Sequence, residues 1–371
     1  MPTFFDAHLD LAMMAERGRD MHAPLATCRG TLQPAAVTLP SLREGRVTHC
    51  LATVFTEARV EGGDQDEDRD WHPYTYPQGD ADAAYRCGMR QIKLYHAWHD
   101  AGVLELMPRR GEASSARERR PFNDDAPPPD PLRVGILIEC ADPIPSPDDV
   151  PEWAAMGVVA VGMAWWHEGR YAGGNGSANV GLTDLGRALI PALDDANIVH
   201  DASHLSQRAL DELLEATDAT IIASHSNCRA LLPGDKHRHL TDDAIQEIAR
   251  RGGVIGINLV KNFLSPELAA GGPPSKNTTK GEATIEQVCD HVEHVCALVG
   301  DRNHVGLGSD MDGGITADDL PVGIRTPSDL GKISEALAAR GWTDADRDAF
   351  AHANWARFWR GASAPARSPV R

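Results

Sequence analysis

The chain is 371 residues long with a formal net charge of -18 and a pI near 5.3, a balance that argues against nucleic acid and anionic membranes as partners, since both select basic faces. Its seven Cys, at 28, 50, 87, 140, 228, 289 and 296, show no CxxC pair and no regular spacing, which speaks against a disulfide scaffold or a zinc ribbon and for a reducing compartment. No run of about 18 apolar residues occurs, and strand-like residues 4–9 begin almost at once with no charged and apolar leader before them, so the expected location is the cytoplasm.

In chain order, short apolar runs alternate with longer stretches of helical period, the pattern of repeated βα units. Strands are expected at residues 4–9, 47–55, 134–139, 157–163, 197–203, 219–224, 253–259 and 304–309. Helices are expected at 80–101, 183–196, 206–216, 241–251, 284–299 and 327–339. Several of them open on a Ser, Thr or Asp able to accept from first-turn amides, and Gly252 and Gly300 close two. Three segments, 59–79, 108–131 and 265–283, are rich in Gly, Pro or charge; such composition forms neither strand nor helix and reads as surface insertion. The first carries Trp71, Tyr74 and Tyr76 near the end of the second strand, where it either borders a substrate pocket or crosses over in solvent. Residues 361–371 read as a frayed tail, and 1–360 as one domain.

Eight strands alternating with helices fit an α/β (β/α)8 TIM barrel. An open doubly wound sheet alternates in the same way, but candidate catalytic groups spread over many strand ends favour closure, because a barrel gathers those ends at one face. His8 and Asp10 end the first strand, Glu139 the third, His204 the fifth, His225 the sixth and Asp310 the eighth. His8 and Asp10 lie two apart, so on a strand they share a face. Glu139 closes the apolar run from Gly135 to Ile138, where an unpaired carboxylate would be costly. Asp310 and Asp312 both lie in the Gly-rich segment 306–314; Asp310 is the choice because it directly follows the strand. Five His, Asp and Glu ligands and one further carboxylate can hold two divalent cations about 3.5–4 Å apart. Zinc suits such donors, with Mn, Co and Fe as alternatives.

These residues carry a resemblance. Asp6-Ala7-His8-Leu9-Asp10-Leu11, Ile138-Glu139, the Gly181, Thr183 and Gly186 set, Asp201 with His204 and Ser206, Ser224-His225-Ser226, the run from His237 to Asp242, and the run from His304 through Asp310 to Gly313 are similar, in order and spacing, to the membrane (renal) dipeptidase family. That family is peptidase family M19 of the amidohydrolase barrels, and the likeness runs from the first strand to about Trp359. The resemblance implies a zinc-dependent dipeptidase in which His8 and Asp10 bind one zinc, Glu139 bridges, and His204 and His225 bind the second. It makes Asp310 the acid/base beside a metal-bridging hydroxide that attacks the peptide bond, and Arg238 the group that binds the substrate's terminal carboxylate. It also implies dipeptide substrates, with a D-residue accepted at the C-terminal position, and a homodimer. One departure stands out. Where active family members usually carry Thr-His after the fourth strand, with the His stabilising the oxyanion, this chain has Ala164-Trp165. His167, two residues on, either substitutes for that His or sits on the loop surface. The same six residues would serve a related hydrolase of N-acyl amino acids, lactones or esters, for which Trp165 and Trp166 could reshape the pocket.

Overall fold

The structure is a computed structural model that describes residues 2–59, 72–112, 131–234, 237–269 and 281–362. Trp71, the centres of the three expected insertions and residues 363–371 lie outside the described residues.

All eight expected strands form: β1 (Phe4–Leu9), β2 (Val47–Val54), β3 (Leu132–Ile138), β4 (Val158–Gly162), β5 (Val199–Asp201), β6 (Ile221–Ile222), β7 (Ile255–Ile257) and β8 (Val305–Leu307). Every pairing is parallel, and the order is β7-β8-β1-β2-β3-β4-β5-β6. A parallel bridge between Ala223 and Ile255, with Ala223 donating to Val254 O and Gly256 to Ala223 O, joins the two ends into an α/β (β/α)8 TIM barrel. The strands are buried along almost their whole length, as expected of parallel sheets covered on both faces. Phe5, Ala7, Leu51, Leu137, Val159, Val199, Ile222 and Val254 meet in one cluster with Trp355, Phe358 and Trp359. This is the apolar floor of the barrel, with the last helix plugging it.

One register shift positions the site. Asp6 pairs with Cys50 but Leu9 with Ala52, so β1 advances three residues against two of β2. Such a bulge re-aims the side chains beyond it, and His8 and Asp10 arrive on the inner face already used by Phe5 and Ala7.

The expected helices appear as Ala81–Asp100, Asp184–Asp195, Gln207–Ala216, Asp242–Arg250, Ile285–Val299 and Gly331–Ala339. Asp80, Thr183, Ser206, Thr241 and Thr284 each accept from a first-turn amide, and Gly300 ends its helix at φ 82°, a left-handed conformation that costs glycine little. The insertion reading needs correction at its edges. Thr75–Pro77 pairs in parallel with Glu57–Arg59, and Pro266–Ala269 is helical. Tyr76 is 1% exposed, so burial of that ring overrides the composition around it. A further strand, Leu104–Leu106, pairs with the start of β3. The helices Asp344–Asp348 and Asn354–Trp359, joined by a π-helical turn, were not expected; Trp355 donates from Nε1 to Leu307 O at 3.0 Å and Asn354 to Val305 O at 2.8 Å.

Beneath the floor, His352 Nε2 lies 3.2 Å from His49 Nδ1, and Phe5 stacks on His49. Burial holds both rings neutral, lowering His352 from the usual 6.5 to about 4 and His49 well below it. A base depressed in the folded state contributes its full stability above the unfolded value and loses it as the pH falls toward the folded value. Stability is therefore expected to fall between pH 6.5 and about 4. His352→Phe should flatten that limb in urea unfolding at fixed pH steps, and an unchanged slope would contradict the assignment.

Candidate metal centre

At the carboxyl ends of the strands the expected side chains converge. Donor atoms of three overlapping sets, His8 with Asp10 and Glu139, Glu139 with His204 and His225, and His8 with His225 and Asp310, lie within 4.8 Å of one another, all buried. His8 Nε2 is 3.6 Å from Glu139 Oε2, 4.0 Å from Asp10 Oδ2 and 3.9 Å from Asp310 Oδ1. Glu139 Oε1 is 3.2 Å from His204 Nε2 and 3.7 Å from His225 Nε2. One carboxylate thus reaches toward His8 with one oxygen and toward the His204 and His225 pair with the other.

Hydrogen bonding behind each ring settles where its lone pair points. His204 Nδ1 meets Asn175 Oδ1 at 2.8 Å, an oxygen that only accepts, so Nδ1 carries the proton. His225 Nδ1 lies 2.7 Å from Ser224 Oγ, whose own hydrogen goes to Asp201 Oδ2; Nδ1 donates here too. Both Nε2 atoms then turn lone pairs toward one another across 2.8 Å. Two lone pairs at that range repel unless a proton or a cation lies between them. A proton is disfavoured: burial first, then Arg238 or a neighbouring His, holds the pKa of His8, His204 and His225 well below the usual histidine value. His8 Nε2 and Glu139 Oε2 are in addition buried without a hydrogen-bond partner. The donor set therefore fits divalent cations, and in their absence burial raises the acids: Asp10 to about 6, Asp310 to about 8, and Glu139 well above its ordinary value with help from Asp10 and Asp310.

The backbone is bent to make this. His204 and Asp310 have φ of 66° and 59°, left-handed conformations that cost side chains with a Cβ about 1–3 kcal/mol and gather at functional sites. A Cβ on Gly313 would overlap Asp310 Oδ1 and touch Asp10, so only glycine lets the last loop close over the site. Asp312, the alternative to Asp310, turns away: its carboxylate accepts from Arg19 and from the Ala36 and Val37 amides. Arg238 reaches the same mouth, donating to Ser226 Oγ at 3.1 Å and His225 O at 2.8 Å. Trp165 also belongs to it, 6.0 Å from the His204 ring. The His167 side chain makes no hydrogen bond or ring contact with the cluster among the described residues, and its backbone oxygen accepts from Gly174.

Sequence reasoning passed over the amides and hydroxyls behind the ligands. Asn258 donates to Asp310 Oδ2 at 2.8 Å, Thr53 to Asp10, and Asn175 accepts from His204. Asn258 and Thr53 are polar residues at the ends of apolar strands, a signal that a search confined to charged and imidazole ligands ignores.

The sequence model of the membrane dipeptidase family, peptidase family M19, matches residues 2–369. The chain belongs to that family. Membership carries the class of a metallo-dipeptidase hydrolase. An uncharacterised protein from the pqqA 5' region of Klebsiella pneumoniae is 30% identical over 216 residues, 56% of this chain and 74% of its own length. Among solved structures, the fold is shared with dipeptidase AC, a family M19 metallopeptidase, at TM-score 0.75, 23% identity and coverage of 97% of this chain and 99% of that one. A Rhodobacter sphaeroides metallopeptidase liganded with a phosphinate mimic of L-Ala-D-Ala follows at TM-score 0.74, 23% identity and coverage of 96% and 99%.

Proposed function

We propose that this family M19 member hydrolyses dipeptides, L,D-dipeptides among them, at two divalent cations, with zinc as the native metal. The observation that carries the reading is the pair of facing His204 and His225 lone pairs, 2.8 Å apart and bracketed by a Glu139 whose other oxygen lies 3.6 Å from an unpartnered His8 Nε2. His8 and Asp10 would hold one ion, His204 and His225 the other, and Glu139 would bridge. When bound, such ions polarise a scissile carbonyl and make water a nucleophile near neutral pH. Asp310 takes the proton from that water and returns it to the leaving amine. Arg238 binds the terminal carboxylate through its planar fork, which limits substrates to short peptides. The phosphinate mimic of L-Ala-D-Ala on the Rhodobacter sphaeroides neighbour supports including a D-residue at the C-terminal position.

The test is protein stripped with chelator, reloaded with Zn2+ and assayed on L,L- and L,D-dipeptides beside N-acyl amino acids. Dipeptide cleavage that needs metal is expected. Metal stoichiometry near two with no dipeptide turnover would move the assignment to N-acyl amino acids, lactones or esters. Stability gives a second readout: Zn2+ at a hundred times its Kd is expected to add about 2.7 kcal/mol to the unfolding free energy, most of it lost in Glu139→Gln. A chelated and a loaded protein with equal melting temperatures would sink the metal centre.

A further inference from the structure

Arg238 lies in the loop after β6 and Phe55 directly after β2, strands four apart in a ring of eight. Arg238 lies over the Phe263 ring, 5.2 Å from its centroid. Arg238 uses two of its N–H groups on Ser226 Oγ and His225 O, and a guanidinium has five, so donors remain for an anion. On the far side, Trp165 meets Phe55 edge-on with centroids 5.0 Å apart, Phe55 tilts against Tyr74 at 5.3 Å, and Trp166 adjoins Trp165 at 6.4 Å. This aromatic wall starts beside the His204 ring, 6.0 Å from Trp165.

The wall is fixed from behind. Asn175 N and Gly176 N donate to the backbone oxygens of Trp165 and Trp166, and a side chain on Gly176 would overlap the Trp166 indole. The same Asn175 orients His204. Asp142 accepts from Tyr76 Oη at 2.7 Å and from Arg170 N at 2.8 Å, tying the loop after β2 to the loop after β4. A preformed apolar surface with a few placed polar groups opposite it is the usual build of a small-molecule site.

We propose that Phe55, Tyr74, Trp165 and Trp166 form the specificity site for the residue on the N-terminal side of the scissile bond, and that they select a large apolar or aromatic side chain there. The inference rests on the dipeptide reading above and on a carboxylate at Arg238. With that end anchored and the amide over the His8, Glu139 and His225 cluster, only the first residue of a dipeptide is left, and it points at the wall.

The experiment compares kcat/KM of the Zn2+-loaded enzyme for X-Ala dipeptides with Gly, Ala, Leu, Phe, Lys or Glu as X, and for N-acetyl against N-phenylacetyl alanine. Since each methylene in an apolar pocket is worth about 10–200-fold in discrimination, Phe and Leu are expected to exceed Gly by at least about tenfold. Trp165→Ala should collapse that ratio mainly through KM, and Trp165→Phe should restore part of it, with metal stoichiometry and melting temperature measured on both variants as folding controls. Dipeptides cleaved with Gly equal to or better than Phe would overturn the wall and leave the dipeptidase reading standing. Cleavage of the acyl series alone would overturn the dipeptidase reading, and the wall would then survive only if phenylacetyl exceeds acetyl by the same margin. Turnover of neither series removes both.

Discussion

Asp310→Asn is expected to lower kcat for dipeptide hydrolysis by about 10²- to 10⁴-fold, the span of general acid/base catalysis, while fold and metal content stay in place. Asn258 donates to Asp310 Oδ2, and its own side-chain oxygen already accepts from Val260 N at 2.7 Å. Asn258 can therefore offer Asp310 only a donor. An asparagine side chain at 310 would keep its carbonyl toward Asn258 and turn its NH2 to where Oδ1 now lies, 3.9 Å from His8 Nε2. The shape is retained and the proton acceptor is lost. Burial, reinforced by Asp10, pushes the Asp310 carboxyl up to about 8 in the metal-free protein, and two cations beside it would pull that value back down, keeping the carboxylate ionised to accept a proton. Steady-state kinetics with metal analysis on the same samples decides it. A variant within tenfold of wild type, at equal metal content, would remove Asp310 from the proton-transfer role.

Much of the barrel was legible because its signal is local. A fully buried parallel strand is a continuous apolar run, and residues 134–138 or Val158–Gly162 can be read as such from composition alone. The convergence of His8, Glu139, His204, His225 and Asp310 was legible for a topological reason, since strand ends of a parallel barrel share one face. What could not be read is how β1 aims its side chains. The extra residue between Asp6 and Leu9 appears only in the pairing with β2, and a plain alternation would have set His8 and Asp10 opposite Phe5 and Ala7 in parity. The same holds for Asn175 and Asn258, whose roles depend on loops and strands distant in sequence. The final helix was missed because Asn354–Trp359 carries three aromatic rings in six residues, too short a stretch to show a helical period, and its place is fixed by contact with β8. Composition misled at Tyr76, where a Gly- and Pro-rich neighbourhood hides a ring buried against Asp142.

Arg19→Ala is expected to cost about 3–5 kcal/mol of stability, the loss that follows removal of one partner of a buried ion pair. Both side chains of the Arg19 and Asp312 pair are almost wholly buried, at 0% and 1% exposure. The guanidinium also donates to Thr31 O, Leu32 O and Val37 O at 3.1, 2.7 and 3.3 Å. It joins three carbonyls of the segment before β2 to a carboxylate that follows β8, so its loss leaves a buried anion and several acceptors unmet together. Burial already raises the Asp312 carboxyl against the opposing pull of Arg19, which shows how little of that charge the site tolerates alone. Arg19→Lys should recover only part of the loss, because one ammonium cannot span the fork's partners. Urea unfolding of chelated protein measures the effect apart from metal binding. The double change Arg19→Met with Asp312→Ala should cost less than the sum of the two single changes, since each alone strands the other's partner. Strict additivity, or a loss below about 1 kcal/mol for Arg19→Ala, the scale of an exposed pair, would show that the pair does not hold the last loop. With that loop goes the backbone bend that presents Asp310: Asp312 at φ 65° and Asp310 at φ 59° are turned on either side of Met311, and a carboxylate fixed by Arg19 on one side is what lets its neighbour two residues back face His8 and Asn258 on the other.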